Sequence, residues 1–139
     1  MIRFHCEDIS YKLPNKLATR NWLAHLIKEE GLKIKDINFI FTSDEYLLDI
    51  NKKYLNHDYY TDVITFDYSE KNAISGDIFL SYERVKSNCK DLETKEIDEV
   101  CRVLAHGVLH LCGYNDKTKQ DKLKMTAKED YYLSLRTFK

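Results

Sequence analysis

Apolar and polar residues change their period along this chain, from the alternation of strands in much of the first half to helical spacing in the second. Met1 to Cys6 alternates as a short strand. Leu17, Ala18, Trp22, Leu23, Leu26 and Ile27 then recur at helical spacing, with Pro14 placed for a first helical turn and Gly31 for the stop. Ile37, Phe39 and Phe41 alternate with polar partners and predict a strand from Lys35 to Phe41. Thr42-Ser43-Asp44 supplies the cap of a helix that runs from about Asp44 to Leu55. Val63 to Phe66 and Ile78 to Leu80 are β-rich runs separated by polar residues and Gly76, which predicts two neighbouring strands. After Ser81 the spacing is helical to the end of the chain, interrupted near Asp91 and at Gly113, with a last helix from about Lys117 to Leu135. The expected fold class is α+β, with a mixed four-stranded sheet packed by several helices.

Composition narrows this picture. With 43% hydrophobic residues in 139, the chain can bury one real core, and one proline and four glycines leave little room for linkers. Residues 1–139 are therefore expected to form one domain. The 22 basic and 23 acidic side chains leave a net charge of −1, so attraction to nucleic acid has to come from local patches. No apolar run has membrane-spanning length and no targeting pattern opens the chain, so no membrane partner and a cytoplasmic location are expected. Cys6, Cys89, Cys101 and Cys112 are scattered with no C-x-x-C pair, which fits reduced thiols rather than a disulfide framework.

The chemistry is concentrated between Leu104 and Asp116. His106 and His110 stand four apart and share one face of a helix, where both imidazoles can reach one ion. Gly113 can stop that helix in a left-handed conformation and let the chain return Asp116 to the same ion. Three protein ligands leave one position open for water, the arrangement of a catalytic rather than a structural zinc. A chance histidine pair is common, but a third ligand just beyond a helix-ending glycine is not. The metal site expected is thus His106, His110 and Asp116, holding one Zn²⁺ or another divalent transition metal. The spacing also matches the metzincin pattern, except that Gly107 replaces the catalytic glutamate and Asp116 the third histidine. Without that glutamate a peptidase loses its proton acceptor. His5, His25 and His57 have no comparable company. Cys112, two residues after His110, points away from the histidine face.

The run from His106 to Tyr114 resembles the core of the YbeY family of endoribonucleases, the rRNA maturation factors. Asn51-Lys52-Lys53-Tyr54, Thr61 to Phe66, Gly76-Asp77-Ile78, Met125 and Glu129 match the same family in order and spacing. The resemblance implies a metal-dependent, single-strand-specific RNA hydrolase that matures the 3′ end of small-subunit ribosomal RNA and takes part in ribosome quality control. Two positions depart from the family pattern: Asp116 stands where a third histidine is common, and Leu55 where an arginine is common.

Arg102, one turn before His106 on the same helix face, is a candidate catalytic cation to hold a phosphate oxygen; pairing with Asp98 is its alternative use. Asp62, Asp77 and His57 are candidates for proton movement whose distances the sequence does not fix. Lys52, Lys53, Lys117, Lys119, Lys122 and Lys124, with Tyr54, Tyr59 and Tyr60, are the nearest groups for RNA contact. Two other functions compete with the nuclease: a metal-dependent hydrolase of another substrate, and a non-catalytic ribosome-associated binding factor with a structural metal.

Overall fold

Alternation along the strands divides the sheet into two faces, and different helices cover each. The computed structural model describes residues 1–138. In chain order these form β1 (Ile2–Cys6), α1 (Lys16–Glu29), β2 (Lys33–Thr42), α2 (Asp44–Leu55), β3 (Val63–Asp67), β4 (Ala73–Ser81), α3 (Tyr82–Asp91), α4 (Glu96–Leu111) and α5 (Lys119–Ser134). The strand order is β1-β2-β4-β3, parallel at β1–β2 and β2–β4 and antiparallel at β3–β4. The chain thus forms the expected α+β fold with a mixed four-stranded sheet. Several boundaries differ: β2 extends past both ends of the expected Lys35–Phe41, β4 begins at Ala73 so that Gly76 lies inside the strand and not between strands, and α5 begins at Lys119. Asn15 adopts a left-handed conformation (φ 52°) that asparagine tolerates, so α1 begins at Lys16 and Pro14 lies before the helix instead of in its first turn.

Ile37, Phe39 and Phe41 of β2 and Ile74, Ile78 and Leu80 of β4 enter the main core with residues of α1 and α4. Ile64, Phe66 and Phe79, one step out of phase, join Leu47 and Ile50 of α2 in a smaller cluster on the opposite face. Each fully buried aliphatic or aromatic side chain contributes about 1.5–3 kcal/mol. Ser43 caps α2 by accepting from Tyr46 N at 3.1 Å, as the Thr-Ser-Asp signal implied. Among the described residues no helix is long and apolar enough to cross a membrane.

Helix α4 lies very close to β4. A Cβ on Gly107 would fall 2.7 Å from Ile78 Cγ2, and Ile78 is fully buried. The position that carries a glutamate in metzincins is here a helix–sheet contact with no space for any side chain. At the other end of the core, Glu30 accepts from Tyr114 Oη (2.8 Å), Lys128 Nζ (3.3 Å) and Tyr132 Oη. Trp22 Nε1 also donates to Tyr132 O at 2.7 Å and Tyr131 Oη to Glu29, so α1 and the residue that ends it are tied to α5 at several points. Burial works against the Glu30 charge, yet the three donors outweigh it and hold the carboxyl below its ordinary value.

Two expectations follow. Gly107→Ala is expected to cost about 1–3 kcal/mol by overpacking, read from the urea midpoint, and an unchanged midpoint contradicts the close approach. Because the Glu30 pKa is depressed on folding, its stabilisation is present above the unfolded value of 4.5 and is lost as pH falls through the folded value. The stability gap between wild type and Glu30→Gln should therefore shrink as the pH is lowered below 4.5; a gap constant across that range rules out the charged network.

Candidate metal centre

His106 and His110 lie on one face of α4 near its C-terminal end. The helix ends at Leu111, and Gly113 follows with φ +105°, a conformation that glycine reaches without a Cβ clash. The chain then returns Asp116 to the histidines. The two Nε2 atoms lie 3.0 Å apart, and Asp116 Oδ2 lies 3.4 Å from that of His106 and 3.5 Å from that of His110. The three residues drawn together from the sequence thus form one cluster with the geometry of a metal site.

Whether these residues suit a zinc-type ion can be tested on the triangle itself. Bonds of about 2.0–2.1 Å in a tetrahedron put neighbouring ligand atoms about 3.3 Å apart. The observed edges straddle that length, so the three donors fit one face of such a tetrahedron. Behind each ring stands an acceptor that fixes its tautomer. His106 Nδ1 donates to Glu129 Oε2 at 2.6 Å, and His110 Nδ1 donates to the Tyr114 carbonyl at 2.9 Å. With both hydrogens on Nδ1, the two Nε2 lone pairs face each other at 3.0 Å, an arrangement suited to sharing a proton or a cation. Burial opposes charge on His106, but the Glu129 carboxylate, aided by Asp116 and Asp62, raises its pKa above the ordinary histidine value. Burial and the neighbouring His106 push His110 the other way.

Arg102 stands one turn before His106 as its spacing required, but its guanidinium faces α5. Nη1 donates to Glu129 Oε1 at 2.8 Å and Nη2 to Asp130 Oδ1 at 2.5 Å. It is not among the residues that line the cleft above the histidines. Its other sequence partner, Asp98, is bound by Arg136 instead. Spacing along α4 offers Asp98, whereas the packing of α5 brings two carboxylates closer.

The triangle opens into a cleft of about 400 Å³. Asp62 lines it, and burial lifts its carboxyl above the ordinary range, with His106 pulling the other way. Thr65 Oγ1, from the same strand wall, is buried without a hydrogen-bond partner. His57 also lines the cleft, a place its position in a turn did not announce. Asp77 lies elsewhere and accepts from Asn38 Nδ2 at 3.2 Å. His5 and His25 are likewise engaged away from the site, with Asn38 and Glu29. Burial pushes the Cys112 thiol up to about 12, so it offers no thiolate. Glu129, matched in the sequence only as part of a family pattern, proves to be the orienting partner of His106.

Removing that partner has a measurable consequence. Glu129→Gln is expected to lower metal affinity by about 10–100-fold with the helical circular dichroism unchanged, measured by competition against a chromophoric chelator. Equal affinity in the two proteins contradicts an orienting role.

Comparison with known proteins agrees with this geometry. The family profile described as Endoribonuclease YbeY matches residues 2–136. The Endoribonuclease YbeY of Cytophaga hutchinsonii is 53% identical over 138 residues, covering 99% of this chain and 96% of that protein. That of Flavobacterium johnsoniae is 48% identical over 135 residues, covering 97% and 96%. A solution structure of a Thermotoga maritima protein superposes with a TM-score of 0.71 at 27% identity, over 96% of this chain and 87% of that one. The match runs from β1 to beyond α5 and takes in all three candidate ligands, and the chain belongs to the YbeY family.

Proposed function

We propose that residues 1–139 form one hydrolase domain, a zinc-dependent endoribonuclease acting on single-stranded RNA in the cytoplasm. Its work in this reading is maturation of the 3′ end of small-subunit ribosomal RNA and ribosome quality control, with the ribosome as partner. The observation that carries the chemistry is the triangle of donor atoms on His106, His110 and Asp116, with edges of 3.0, 3.4 and 3.5 Å, at the floor of an open cleft. Family membership carries the substrate.

A zinc-type cation held by these three residues supplies Lewis acidity toward a phosphoryl oxygen and toward water. The chain's own residues do the rest. Glu129 and the Tyr114 carbonyl orient the two rings so that both Nε2 atoms point to one place. Asp62, desolvated in the cleft wall, is the group we assign to proton movement, because a carboxyl with a raised pKa can hold and release a proton nearer neutral pH. Arg102 acts on this chemistry through Glu129, not by touching a phosphate. Gly107, packed on Ile78, leaves no base in the metzincin position, which disfavours a peptide substrate. Three ligands beside a cleft, where a structural zinc takes four, favour an enzyme over a binding factor with a structural metal.

The test is metal content per chain in wild type and His110→Ala, with cleavage of a single-stranded RNA measured on the same samples. Close to one ion per wild-type chain, with metal and cleavage both lost in the variant, is the expected outcome. Metal without cleavage in the wild type supports the binding factor instead, and a folded wild type that takes up no zinc sinks the metal reading. Asp62→Asn is expected to keep its metal and lose kcat by on the order of 100-fold; an unchanged kcat removes Asp62 from proton movement.

A further inference from the structure

The cleft has a second feature that the metal chemistry does not use. Helix α2 ends at Leu55, and Asn56 turns the chain with a left-handed φ of 55°. The loop that follows is pinned twice by the buried Asn51: its carbonyl accepts from His57 N at 3.1 Å, and its Nδ2 donates to Tyr59 O at 2.9 Å. The pinned loop presents two stacked rings. The His57 and Tyr59 centroids are 5.1 Å apart at 21°, and Tyr59 Oη meets His57 Nδ1 at 3.0 Å. Tyr59 is 56% exposed, and neither residue belongs to an apolar cluster of the core. Both rings, with Leu55, line the same cleft as the metal ligands.

The charges of that cleft restrict what can lie on the rings. Its described lining contains no lysine or arginine, and its charged groups besides the histidines are the carboxylates Asp62, Asp67 and Asp116. Beyond a cation held by the ligand triangle, nothing in this lining attracts a phosphate, and the carboxylate of Asp67, with that of Asp62 when ionised, repels one. A neutral, flat group suffers no such repulsion and gains contact area on a plate that is already ordered.

We propose that the His57–Tyr59 pair is a stacking subsite for one unpaired nucleobase beside the phosphodiester that is cut. The proposal rests on the ribonuclease reading above. Specificity here comes from a base splayed onto the aromatic pair, and a base inside a duplex, already stacked on both faces, is not available to it. Asn51 is a positioning residue for the plate, because its two backbone-directed contacts set where both rings stand.

The experiment is a cycle between protein and substrate. Metal-loaded wild type, Tyr59→Ala and Tyr59→Phe are each given a single-stranded RNA and the same RNA with an abasic residue moved along it, and kcat/KM is measured with metal content and Tm as controls. For the wild type, an abasic residue at one position next to the cut should cost about tenfold, and Tyr59→Ala should cost a similar factor on intact RNA. The two losses should not multiply when combined, and Tyr59→Phe, which keeps the ring but loses the Oη contact to His57, should lose less than Tyr59→Ala. Wild-type cleavage that is indifferent to every abasic position, or losses that multiply, overturns the subsite while leaving the nuclease intact. A wild type that neither cleaves the RNA nor changes the fluorescence of a 2-aminopurine placed in it overturns both readings.

Discussion

The site depends first on how closely α4 lies on the sheet. Gly107 lets the helix backbone approach Ile78 to a distance that no side chain permits, and Ala105, Val108 and Leu109 complete a fully buried face. With that face fixed, the opposite side of the helix has no freedom of rotation. His106 and His110 are then carried to one cleft by a rigid element, which is how three donor atoms can stand within a few tenths of an ångström of a tetrahedral face. A helix lifted from the sheet by one methyl group would move both rings together.

Position is not yet orientation, and orientation comes from α5. Two adjacent residues of that helix serve the two histidines by separate routes. Glu129 accepts directly from His106 Nδ1 and is itself held by Arg102. Lys128 joins Tyr132 and Tyr114 around Glu30, and the residue so anchored, Tyr114, offers the carbonyl that accepts from His110 Nδ1. The routes differ in charge. A carboxylate behind His106 makes that ring the more basic of the two, whereas a neutral carbonyl behind His110 does not offset its burial. Packing between α1 and α5 therefore serves the stability of the fold and the aim of the ligands at once.

Much of this was legible in the sequence where the governing spacing is local. The period of the strands gave the sheet, Ser43 gave a helix start, and the spacing of His106, His110, Gly113 and Asp116 gave the cluster of candidate donors, because helix geometry and one left-handed residue determine where those side chains go. Pro14 misled because Asn15 can itself enter the left-handed region and start the helix later. The partner of Arg102 was not legible: Asp98 is near in sequence, while Glu129 and Asp130 are 27 and 28 residues away and arrive only through the packing of α5. Asp62 and His57 were candidates whose places were not fixed, for the same reason. Their chemistry follows from burial and from a shared cleft, neither of which has a periodic signature.

The balance of charge in the chain takes on meaning at the cleft. A net charge of −1 excludes a polyelectrolyte grip on RNA by the whole molecule, and the cleft lining carries that exclusion inward by offering carboxylates where a backbone-gripping nuclease would offer cations. Such a lining is suited to collecting a divalent cation and unsuited to a run of phosphates. Under the proposed function, the positive charge that a phosphodiester would meet is confined to a cation on the candidate triangle, which would select the place of reaction electrostatically as well as geometrically. Leu55, His57 and Tyr59, uncharged or aromatic, make up the wall of the cleft on the α2 side. Asn51 keeps that wall in place without engaging the candidate metal site, because its contacts are with the loop backbone and not with His106, His110 or Asp116. Under the proposed function, two tasks, holding a cation and receiving the neutral part of a substrate, fall to different elements, α4 with the loop that follows it and the loop after α2, which line the same cleft.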